Sequence, residues 1–142
     1  MQPTDQTTSA ASRPLWMTIV AWICAIGLVT SASQDLLFSE ARDIEVWLGF
    51  EIRGWLALVT APVHWAILGV GTWGFWTQRA WIVRWTAAYA FYVALSHLIW
   101  SEVSPNGRGW PIGLLQALAI SAVAVLLLRA GRTSRIGPLS RP

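Results

Sequence analysis

Lysine is absent from these 142 residues, cysteine occurs once, histidine and tyrosine twice each, and only 12% of the chain is charged. Each scarcity removes a class of protein. A single cysteine, Cys24, can build neither a disulfide framework nor a cysteine metal cluster within one chain; inside its apolar run it reads as a small buried residue. Low charge together with 55% hydrophobic residues and a mean hydropathy of +0.50 excludes an ordinary small soluble domain. The pI near 10 does not indicate nucleic acid, because the basic residues sit at the ends of apolar runs and in a short tail, with no basic helix or aromatic-studded sheet. All ten basic side chains are arginine, which carries no functional weight. No motif names a reaction, so no catalytic residue is assigned and an enzyme is not expected.

What the chain does have is four long apolar runs separated by charge. A helical span needs roughly 20 apolar residues, and runs over 15–31, 54–76, 80–100 and 110–128 meet that length. If each run crosses once, Arg13, Arg79, Arg84, Arg129, Arg132, Arg135 and Arg141 share one face with a single acid, Asp5. The other face holds Arg42, Arg53 and Arg108 with the six remaining acids. Cationic loops stay in the cytoplasm. The expectation is a multi-pass protein of a bacterial cytoplasmic membrane with both termini inside: a polar tail over 1–13, a membrane domain over 14–129 and a basic tail over 130–142. The leader lacks a basic start, so the first run is expected to be an uncleaved signal anchor, although Thr30, Ser31 and Ala32 could form a cleavage site. The basic tail should meet anionic lipid.

The expected fold is an all-α, up-down-up-down four-helix transmembrane bundle. Between the first two spans, residues 34–53 are both acidic and apolar. Leu37, Ala41, Ile44 and Leu48 recur at helical spacing, whereas Ile44, Val46, Leu48, Phe50 and Ile52 alternate as a strand would. An isolated strand would leave an open edge, so an interfacial amphipathic helix capped by Ser39 is expected there. Six of the eleven tryptophans, Trp16, Trp55, Trp76, Trp81, Trp100 and Trp110, fall near span ends as belt residues. Trp22, Trp47, Trp65, Trp73 and Trp85 are assigned to packing or lipid contact.

Ionisable groups inside a bilayer are costly and mark sites. At helical rise, His64 lies about 15 Å, His97 about 5 Å and Gln116 about 9 Å below the outer ends of their spans. Ala87, Ala90, Ala94, His97 and Ser101 form one stripe on the third span, and Thr60, Ala61, His64 and Gly71 share a face of the second. The expectation is a polar pocket in the outer half, lined by His64, His97, Gln116 and Tyr92, with Tyr89 beside Tyr92 as a second phenolic donor, and ringed by Glu51 and Glu102. Its imidazoles could equally serve only to fix helix register. Unequal depth argues against haem held by two histidines, no metal-ligand spacing is present, and no cofactor is assigned, with a quinone left open.

Three functions are weighed. The first is a non-enzymatic accessory or structural subunit, packing through small-residue faces against other membrane subunits or a second copy. The alternative is a ligand-handling or redox membrane protein with a quinone or other small molecule around His64 and His97. A transporter is weaker, because four spans seldom enclose a pathway without oligomerising. Nucleic acid is not an expected partner.

Overall fold

The computed structural model describes residues 13–37 and 44–133. Four helices carry the fold: α1 (Leu15–Leu37), α2 (Trp55–Trp76), α3 (Ile82–Val103) and α4 (Gly109–Thr133), each long and apolar enough to cross a membrane. All four expected spans are present. The first runs six residues beyond the expected end at Ser31, and the last extends to Thr133. Pro14, just before α1, accepts backbone hydrogen bonds from Met17 and Thr18. Pro62 is accommodated within a continuous α2.

The helices associate as two antiparallel pairs. In the first, Gly27 packs on Leu68 and Gly71 on Cys24. Trp16 meets Phe75 edge to face at 6.2 Å, and Trp65 Nε1 donates to Asp35 Oδ2 at 2.8 Å. In the second pair the backbones come closer. A Cβ on Gly113 would fall 2.7 Å from Ser101 Cβ, and one on Gly131 would fall 2.8 Å from Val83 Cγ1. Ala87, Ala94, Ser101, Gly113, Ala117 and Ala124 are all buried. Small residues allow this approach, and dispersion between the backbones holds it where lipid is as apolar as the helix.

The pairs meet along the α2–α3 seam, and its two ends are built differently. At the α2–α3 loop end, Met17, Ala21, Phe75, Ile82 and Val83 form a buried apolar cluster, with Met17 and Phe75 fully enclosed. At the opposite end a β-hairpin descends between the helices. Its strands, β1 (Ile44–Trp47) and β2 (Phe50–Arg53), pair antiparallel with Ile44 opposite Arg53 and Trp47 opposite Phe50.

This hairpin corrects the expected interfacial helix over 44–53; Ser39, its expected cap, lies outside the described residues. The open-edge objection is met in part because the two strands pair with each other and pack against α2 and α3, and non-helical backbone is tolerated at membrane depth where protein covers it. Leu48 and Gly49 form a two-residue turn with φ of +52° and +86°, the double left-handed geometry that matches strand twist. A hairpin alone is marginal. This one is seated by its tip, where Gly49 is buried so tightly that an added Cβ would sit 2.5 Å from Ile99 Cβ.

Candidate functional site

The hairpin brings side chains from distant parts of the chain onto α2 and α3. On α2, His64 Nδ1 lies 2.8 Å from Glu45 Oε2, and the Trp47 indole stacks on the imidazole at 4.3 Å between centroids and 5° between planes. Both members of this pair are largely covered, with side-chain exposures of 22% and 12%. A carboxylate can only accept, so Nδ1 carries the proton, and in the neutral ring Nε2 is left as an acceptor. Glu45 therefore fixes both the tautomer and the orientation of His64. Trp47 Nε1 is buried with no hydrogen-bond partner among the described residues.

On α3 the hairpin is held by three hydrogen bonds. Leu48 N donates to the Tyr92 hydroxyl at 3.1 Å. Glu51 Oε1 accepts from Ser104 Oγ at 2.6 Å and from Trp100 Nε1 at 3.2 Å, while Arg53 Nη2 donates to Oε2 at 2.7 Å. These donors, Ser104 foremost, then Arg53 and Trp100, lower the Glu51 pKa from 4.5 to about 2. Ser104 Oγ in turn accepts from Asn106 N at 3.1 Å, which ties the α3–α4 turn into the same network.

Beneath these contacts lies a cavity of about 330 Å³ lined by Val46, His64, Tyr89, Tyr92, Ser96 and His97, with Val93 and Trp100 completing the wall. A second cavity of about 500 Å³ continues the seam toward the loop end. Its lining is apolar apart from Cys24, Thr86 and Tyr89, and includes Ile67, Val70, Gly71, Ile82 and Trp85. Tyr89 lines both cavities. The seam therefore holds two neighbouring cavities, the upper one carrying several polar side chains among apolar ones and the lower one almost wholly apolar.

Of the six residues singled out from the sequence, His64, His97 and Tyr92 line the upper cavity. His97 is exposed at its edge, because the small stripe on α3 turns toward α4. Glu51 sits beside the cavity, engaged with Trp100 and Ser104. Gln116 and Glu102 are not among the lining residues: Gln116 is half-buried on α4, and Glu102 is exposed at the end of α3. Depth along each span grouped His64, His97 and Gln116, but the pairing of α3 with α4 turned the fourth helix away from the cleft. Glu45, Trp47 and Ser96 join the site only through the fold, whereas Tyr89, expected beside Tyr92 as a second phenolic donor, does line the cavity. The strand-like alternation over 44–52 was the signal for the first two.

No group of three or more histidine, cysteine or acidic side chains suited to a metal ion occurs among the described residues. Compared with known proteins, the chain matches no family model, no curated protein and no solved structure. What the fold defines is a small integral membrane protein of four apolar helices.

Proposed function

We propose that this protein holds a lipid-soluble small molecule of the quinone class in the α2–α3 cleft, with the polar head beneath the hairpin and the tail in the apolar part. One observation carries this reading. His64, oriented by Glu45 and covered on its face by Trp47, stands with Tyr92, Ser96 and His97 at the wall of a cavity that neighbours a larger, almost wholly apolar one. Each cavity, at about 330 and 500 Å³, falls in the range that binds small organic ligands, about 300–1,000 Å³. A quinol hydroxyl would donate to His64 Nε2. Tyr92 accepts from Leu48 and keeps its own proton for a quinone carbonyl, and Tyr89, Ser96 and His97 supply further donors.

The competing reading, an accessory subunit that packs through small-residue faces, draws little support from those faces. Gly113, Ala87, Ala94 and Ser101 are used between α3 and α4, and Gly71 and Gly27 between α1 and α2. The arginine asymmetry supports a cytoplasmic position for both termini, with the hairpin on the opposite side of a bacterial cytoplasmic membrane.

The test is a titration of the purified protein in lipid nanodiscs with a benzoquinone carrying a ten-carbon tail, read by quenching of tryptophan fluorescence. Saturable quenching is expected, with affinity falling about tenfold or more in His64→Ala, the scale of one lost buried hydrogen bond. Unchanged affinity in a folded His64→Ala protein would overturn the assignment.

A further inference from the structure

We infer that the ligand of this cleft is a membrane-dissolved amphiphile that enters sideways from the bilayer between α2 and α3, under a hairpin that stays fixed as a roof. The inference rests on the ligand-binding reading and adds to it the phase from which the ligand comes.

The roof is anchored to both helices. Toward α2 it makes the Glu45–His64 bond and the Trp47 stack; toward α3 it makes the Leu48–Tyr92, Glu51–Trp100 and Glu51–Ser104 bonds. Gly49 is in close contact with Ile99 and the Ser96 carbonyl, leaving no room for a methyl group. Lifting the hairpin would break all of these together. Arrival through the hairpin therefore requires undoing most of what holds it in place.

The side of the cleft is built in the opposite way. Below the hairpin, cavities separate α2 from α3 until Gly74 meets Ile82 near the loop end. The residues flanking the slot are apolar and outward-facing, with Val63 46%, Val70 48% and Trp85 68% exposed. A water-soluble molecule gains nothing at such a rim. An amphiphile already in the lipid crosses it without leaving an apolar surrounding, and its head then meets the donors and acceptors of the upper cavity. The apolar cavity is assigned to the tail of that same molecule because it is the neighbouring space along the seam, with Tyr89 lining both cavities.

Stopped-flow tryptophan quenching in nanodiscs separates the two routes, using the ten-carbon-tailed benzoquinone and the same ring without a tail. Thr86→Phe narrows the slot, and Glu51→Gln loosens the roof. For the tailed probe, association should slow about tenfold in Thr86→Phe and change less than about twofold in Glu51→Gln, while the tail-less ring binds at least about tenfold more weakly than the tailed one. Thr86→Leu, a milder filling, should give a smaller slowing in the same direction, and thermal melting checks that each variant is folded. Association accelerated by Glu51→Gln and indifferent to both Thr86 variants would overturn lateral access while leaving the binding reading intact. Quenching by neither probe in the unaltered protein would overturn both. A dimer in native mass spectrometry that Thr86→Phe breaks into monomers would assign the slot to a second copy and overturn the inference.

Discussion

The α3–α4 interface and the α2–α3 seam are made from helices of similar length and composition, yet one is closed and the other stands open. Along α3–α4, small residues face each other so nearly that Gly113 has no space for a Cβ against Ser101. Along α2–α3, larger side chains such as Tyr89, Tyr92 and Ile67 line the opposing faces, and contact is concentrated at the two ends. Bulk at a helix face holds backbones apart, and the polar cavity exists because a hairpin rather than a helix fills the resulting gap at one end. A bundle can thus be tight where it must be stable and open where it can take a ligand.

Substitutions that exchange these two characters should have unequal effects. The largest should come from Gly113→Leu, which forces a side chain into the Ser101 contact and separates α3 from α4; a loss of about 3 kcal/mol, the upper end for overpacking, is expected in thermal or denaturant unfolding. A folded protein with an unchanged melting temperature would show that α3 and α4 have room to spare at Gly113. Next is Gly49→Ala, where both the positive φ and the missing space oppose a methyl group; about 2 kcal/mol is expected, in the range of a strained backbone position. Hydrogen exchange should localise that loss to residues 44–53 and leave α3–α4 protected.

A third effect is set by pH. Glu51 is more acidic in the fold than its ordinary 4.5, so the folded hairpin favours the charged form. Its contribution is complete above 4.5 and disappears as the pH falls toward about 2. Amide protection of the hairpin should therefore decline across that window in the unaltered protein. Glu51→Gln should already be less protected at pH 7 and should lose this part of the pH dependence; a parallel decline in both proteins would contradict it. The smallest effect belongs to Glu102→Gln, at an exposed position away from the cleft, where stability should shift by less than about 0.5 kcal/mol and quinone binding should not change.

The four spans were legible because each is a continuous apolar run of sufficient length, and the segment's own composition decides whether it can replace water with lipid. The polar cavity was legible in part. His64 and His97 could be grouped by depth, since helical rise converts residue number into height, and Tyr92 joins them from a neighbouring face of the third span. Azimuth could not be read in the same way, and Gln116 and Glu102 were grouped with them although they stand apart from the cavity. The hairpin was obscured by its turn: Leu48 occupies a left-handed position that a bulky residue rarely takes, and the usual Asn-Gly or Asp-Gly signal is missing.

Hydropathy and arginine placement belong to single segments, so the sequence by itself determined the number and approximate limits of the helices and their expected threading. Tertiary structure alone decided that α3 closes on α4, that α2 and α3 remain apart, and that Glu45 and Trp47 meet His64. Those outcomes depend on which faces can approach. A contact between residues 19 apart, such as Glu45 and His64, forms only when a turn reverses the chain and the neighbouring helices leave room for it.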